Sequence, residues 1–171
     1  MKKMFFVFIV LILVSIFVNA QEKKCASYWC DYEQLYKEIY KDKNADLFKL
    51  NERIEIILKN VEAEKHPAAY AFELLLANNY NRLGDYESAA MHFEKAYSLK
   101  KLEKIGIALW NVKKTIADSL SKECKISCPT EKAKDLFDQY TWLSKNRGLV
   151  SWYTKVEWDI NNGLKRARQN M

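Results

Sequence analysis

Apolar residues return every three or four positions along most of this chain, the spacing that sets them on one face of an α-helix. Seven such stretches are present. The first, about 31–42, carries Tyr32, Leu35, Tyr36, Ile39 and Tyr40; the second, about 45–64, carries Leu47, Leu50, Ile54, Ile57, Leu58 and Val61. Pro67 suits the first turn of a third helix, where its missing N–H costs nothing, and Gly84 ends that helix after Leu76, Ala77 and Tyr80. Asp85 can cap a fourth, with Ala89, Phe93 and Ala96, that runs to about Lys100. A fifth, about 102–122, presents Ile105, Leu109, Val112, Ile116 and Leu120. After the break at Cys124–Thr130, where Pro129 and Thr130 read as stop and cap, a sixth presents Ala133, Phe137 and Tyr140. The seventh, about 149–168, brings Trp152, Val156 and Ile160. No window alternates like a strand, and glycine and proline are scarce, so the predicted fold class is all-α.

Residues 71–99, AFELLLANNYNRLGDYESAAMHFEKAYSL, add a more specific pattern. Leu76, Ala77 and Tyr80, then Gly84 and Tyr86 across a Gly-Asp turn, then Ala89, Phe93 and Ala96 fall at the offsets of a tetratricopeptide repeat of about 34 residues. The segment resembles that family. Elsewhere the match is degenerate: Lys101 stands where the family often has proline, the first helix pair lacks the Gly-Asp turn, and the third pair holds a cysteine-bearing insertion. The resemblance implies a right-handed superhelix of about three helical hairpins, closed by the seventh helix as a C-terminal cap.

It also implies a binding role. In this family the first helix of each pair lines a concave groove that takes a peptide or protein segment. Transferring that register to the third helix turns Leu74, Asn78, Asn81 and Arg82 toward the groove, with Asn78 resembling the asparagine that family members use to hydrogen-bond an extended peptide or its terminal carboxylate. On the fifth helix the same rotation exposes Trp110 and Lys114, and on the first Lys37, Tyr40 and Lys41. Basic donors beside aromatic anchors suit an acidic or carboxylate-ending peptide.

The N-terminus changes the expected compartment. Lys2 and Lys3 precede an apolar run from Phe5 to Val18, and Val18-Asn19-Ala20 supplies small residues for cleavage, so residues 1–20 read as a signal peptide. The run of about 14 residues falls short of the ~20 that span a bilayer. Cys25 lies too far beyond Ala20 to be a lipidated cysteine, and no later run reaches membrane length. The expected product is periplasmic or secreted: a cysteine-containing segment at 21–30, a helical domain at 31–168 and a tail at 169–171. In such a compartment Cys25, Cys30, Cys124 and Cys128 suggest two disulfides, with Cys25–Cys30 and Cys124–Cys128 the favoured of three pairings. Their spacing does not suit zinc.

Charge and motifs exclude more than they identify. The formal net charge of +6 is spread among acidic residues, and the densest basic run, Lys165, Arg166 and Arg168, suits a helix C-terminus, so no nucleic-acid partner is expected. The glycines are isolated, and His66 and His92, read as surface residues, have no catalytic motif around them. No catalytic residue, cofactor or metal is predicted. Most of the 8 Phe, 10 Tyr and 5 Trp are expected in the core, with Trp142, Trp152 and Trp158 sealing the last layer. The reading is an exported, non-enzymatic interaction module, an adaptor or assembly factor of the cell envelope. Two other classes fit the same composition: a helical envelope enzyme acting on cell-wall glycan, and a structural subunit of an envelope complex.

Overall fold

The computed structural model describes residues 27–124, 128–151 and 153–171, with side chains for all of these except 153–155. The expected signal peptide, and with it Cys25 and Trp152, lies outside the described residues. Among the described residues seven α-helices follow one another: α1 Tyr28–Lys41, α2 Leu47–Ala63, α3 Ala69–Leu83, α4 Tyr86–Leu99, α5 Glu103–Glu123, α6 Thr130–Lys145 and α7 Tyr153–Gln169. A 3₁₀ turn at Arg147–Leu149 joins the last two, and no strand occurs among the described residues. The fold is all-α, as the periodicity predicts.

Local chemistry sets the helix boundaries. Gly84 adopts φ +80°, the left-handed conformation that only glycine reaches without cost, and its N–H reaches back to α3 carbonyls. The Asp85 carboxylate then accepts the Ser88 N–H at 3.0 Å and opens α4, as expected. Asp46 does the same for α2 through the Lys49 N–H, at 3.2 Å. Two expected signals act differently. Thr130 is the first residue of α6 and caps nothing, while Pro67 precedes α3 instead of entering its first turn.

Sequential helices pack as antiparallel neighbours. Tyr28 at the start of α1 donates to Glu64 just beyond the end of α2, and Arg53 near the start of α2 pairs with Glu38 near the end of α1. Lys100, beyond the end of α4, returns to Tyr70 at the start of α3. By contrast α1 and α3 run parallel, since Trp29 meets Tyr70 and Tyr40 meets Arg82.

The core is a chain of three clusters that share helices. Leu35, Ile39, Ile54, Val61, Phe72 and Leu76 fill the first, and Ala77, Ala89, Phe93, Ala96, Leu109 and Ile116 the second. Trp110, Ala117, Leu136, Tyr140, Leu143 and Ile160 fill the third. Helices α3 and α5 each feed two clusters, so they are apolar on two sides. The fully buried Ala77, Ala89 and Ala96 keep the α3–α4 seam thin, which lets those helices approach closely.

The last layer is closed by α7 through Ile160 and Ala167. The ring of Trp158 does not join it: this side chain is 75% exposed, contrary to the expected seal. Gly163 sits directly on the buried Tyr140, and a methyl group there would fall 2.3 Å from the ring. Alanine at 163 gains about 1 kcal/mol of helix propensity, but overpacking costs about 1–3 kcal/mol. Gly163→Ala is therefore expected to lower the melting temperature by several degrees. Gly148→Ala, with nothing within 4 Å, should leave it unchanged. A Gly163→Ala protein as stable as the parent would show that α7 is not seated on Tyr140.

Candidate functional site

Three rows of side chains line the face formed by α1, α3 and α5. On α3, Tyr70, Leu74, Asn78 and Arg82 recur every four residues, with Asn81 beside the last. Between α3 and α5, Asn78, Asn81, Phe93, Ala108, Asn111, Val112 and Thr115 surround a cavity of about 280 Å³. The amide of Asn78 donates to the Leu74 carbonyl at 2.8 Å, which fixes the side chain and leaves its own carbonyl oxygen available to accept. Asn81 and Asn111 are exposed.

Lys37, Tyr40, Lys41 and Arg82, expected to line a groove, are all exposed. Arg82 bridges α3 to α1: its guanidinium donates to the Ile39 carbonyl at 3.1 Å and stands 5.8 Å from the centre of the Tyr40 ring. Lys37 and Lys41 are exposed on α1, with Lys37 4.0 Å from Glu33, and Leu74 is half-buried against the middle core cluster.

The α5 expectation requires correction. Trp110 is 1% exposed, and its indole N–H donates to the Leu143 carbonyl at 3.3 Å, inside the third core cluster. Its neighbour Asn111, one residue and 100° further round, faces the cavity instead. Lys114 is half-buried and tied to Asp118, with Nζ 2.5 Å from Oδ1.

Aromatic residues of α1 form a feature of the face that the sequence reading assigned mainly to the core. Trp29, Tyr32, Tyr36 and Tyr40 stand in line, with successive ring centres 6.1, 6.0 and 4.5 Å apart. The spacing of 3, 4 and 4 residues was the available signal. Leu35 and Ile39 are the fully buried residues of α1, with Tyr28 and Tyr32 half-buried against the same cluster, while Tyr36 is exposed. Burial, together with the neighbouring phenols, raises the pKa of Tyr32 and Tyr40 above the ordinary phenol value, and Arg82 partly offsets this at Tyr40. Both hydroxyls are therefore protonated donors at neutral pH.

Polar groups also gather on the opposite side. Glu73 is fully buried and hydrogen-bonded to His92, with Nδ1 2.6 Å from Oε2, while Lys95 Nζ lies 3.6 Å from Oε1. The His92 ring stacks on Tyr80 with centres 5.3 Å apart. Burial raises the pKa of Tyr80, with Glu55 adding to the shift. Contrary to the surface reading, His92 is buried; His66 is half-buried, its Nδ1 accepting the Ala68 N–H. A larger cavity of about 580 Å³ lies at the start of α3, lined by Trp29, His66, Tyr70, Leu99 and Lys100 among others.

A disulfide joins Cys124 and Cys128, one of the two expected local pairs. Cys30 is also disulfide-bonded, while Cys25 is outside the described residues. Among the described residues no group of three or more His, Cys, Asp or Glu side chains is placed to hold a metal ion, and no helix is long and apolar enough to cross a membrane. No family model matches the chain, and no curated protein or solved structure shows significant similarity to it.

Proposed function

We propose that this chain is an exported interaction module of tetratricopeptide type, in which α1–α2, α3–α4 and α5–α6 stack as a right-handed array and α7 caps it. Its α1, α3 and α5 face takes an extended peptide or protein segment from a partner in the cell envelope. The observation that carries this reading is the α3–α5 cavity, where Asn78, Asn81, Asn111 and Thr115 meet without a carboxylate among the lining residues. Amide side chains both donate and accept, so a pair of them can hold a peptide backbone in register. A preformed groove leaves most of the ordering cost to the partner.

The test is affinity capture from native envelope extracts with the 21–171 form, followed by mass spectrometry. Asn81→Glu with Asn111→Glu should lose at least about 90% of the partner retained by the parent, a loss of the size expected when a central polar contact is reversed. The melting temperature should not change, because both residues are exposed. Equal capture by parent and variant would remove the groove reading. Product release from peptidoglycan would favour the glycan enzyme, and concentration-dependent size the structural subunit.

A further inference from the structure

We propose that the aromatic row on α1 recognises a proline-rich segment held in the polyproline II conformation; this names the occupant of the groove proposed above and rests on that reading. Trp29, Tyr36 and Tyr40 are 40, 47 and 45% exposed, so three large rings stand open to solvent on one side of a single helix. Aromatic groups left exposed in a line commonly mark a binding surface. Their placement is fixed at both ends by α3, with Trp29 6.3 Å from Tyr70 and Tyr40 5.8 Å from the Arg82 guanidinium.

The chemistry of the row selects the ligand. A polyproline II strand has no internal hydrogen bonds, and proline has no N–H, so the strand offers carbonyl acceptors and apolar rings but almost no donors. The α1 row and the facing α3 row offer donors to match: phenol hydroxyls, the Arg82 guanidinium and the asparagine amides, with Glu33 the carboxylate beside the α1 row. The lengths also agree. Trp29 and Tyr36 lie about 10 Å apart along the helix axis at 1.5 Å per residue, close to the roughly 9 Å turn of polyproline II. This conformation is already populated before binding, so docking it on rings costs little entropy.

The experiment uses the 21–171 protein and fluorescein-labelled decaproline, read by polarisation, with a Gly-Ser decapeptide and a soluble chitooligosaccharide as competitors. Decaproline should bind and neither competitor should displace it. Tyr36→Ala with Tyr40→Ala should weaken binding at least about tenfold, the scale of an interface anchor. Tyr36→Phe with Tyr40→Phe keeps both rings and should weaken binding about threefold through the lost donors. No binding by the parent, equal binding by both double variants, or displacement by the chitooligosaccharide would each overturn the proposal. If asparagine-dependent capture of an envelope partner persists while decaproline fails to bind, the occupant is wrong and the groove stands. If capture is indifferent to the asparagines as well, the groove reading fails too.

Discussion

Replacing His92 with leucine is expected to cost about 3–5 kcal/mol of unfolding free energy, the usual penalty for stripping one partner from a buried pair. The reason lies with Glu73. Its side chain is fully buried on α3, and His92 supplies its one close contact, at 2.6 Å. Among the described residues the other carboxylate oxygen has no hydrogen-bond partner, and Lys95, half exposed, stays 3.6 Å away. Without His92 a carboxylate would remain in the seam between α3 and α4 with only that distant cation. A domain of this size has about 5–15 kcal/mol of total stability, so the urea midpoint should fall by about a fifth or more.

The double variant Glu73→Leu/His92→Leu separates the two halves of that cost. Removing both partners leaves no orphaned charge, and apolar replacement of a buried pair is often neutral or stabilising. It should recover most of the lost stability, giving a coupling of about 2–3 kcal/mol in a double-mutant cycle. Recovery would show that the pair fixes how α3 and α4 fit together and contributes little net stability. If the single leucine variant loses less than about 1 kcal/mol, Lys95 is sufficient company for Glu73 and the pair is weak.

The helices were legible because periodicity and end chemistry agree. The Gly84–Asp85 boundary shows this best, where a left-handed glycine and a capping carboxylate do what their identities predict. The candidate site was legible only in part, and the errors share one cause. An interior helix of a stack is buried on two sides, so α5 carries Leu109 and Ile116 toward one cluster and Trp110 and Ala117 toward another. Reading it as a single apolar stripe assigned the second buried side to the groove and overlooked Asn111. At the end of the stack the opposite happens. Helix α1 buries only Leu35 and Ile39 fully; Tyr32 packs against that core as expected and Tyr40 is open as expected, but Tyr36, counted in the stripe, is exposed and continues the row. The Glu73–His92 pair had no sequence signal, since nineteen positions separate partners that only the α3–α4 packing brings together.

Trp110→Ala is expected to destabilise the fold by about 3–5 kcal/mol, the range for emptying a large aromatic site in a core. The indole is 1% exposed and packs with Leu136, Tyr140, Leu143 and Ile160, so its removal opens a void where α5, α6 and α7 meet. It also leaves the Leu143 carbonyl without its donor. Trp110→Phe keeps most of the volume but not that donor, and should cost about 1–3 kcal/mol. Tyr40→Ala, on the open row, should cost under about 1 kcal/mol. Denaturant unfolding of the three variants orders them by burial if Trp110 is core. The same urea midpoint for Trp110→Ala and Tyr40→Ala would return Trp110 to the surface, and with it the original placement of the groove on α5. The predicted order instead confines the α5 contribution to Asn111 and Thr115, and makes the loss of any partner by a Trp110 variant a consequence of unfolding.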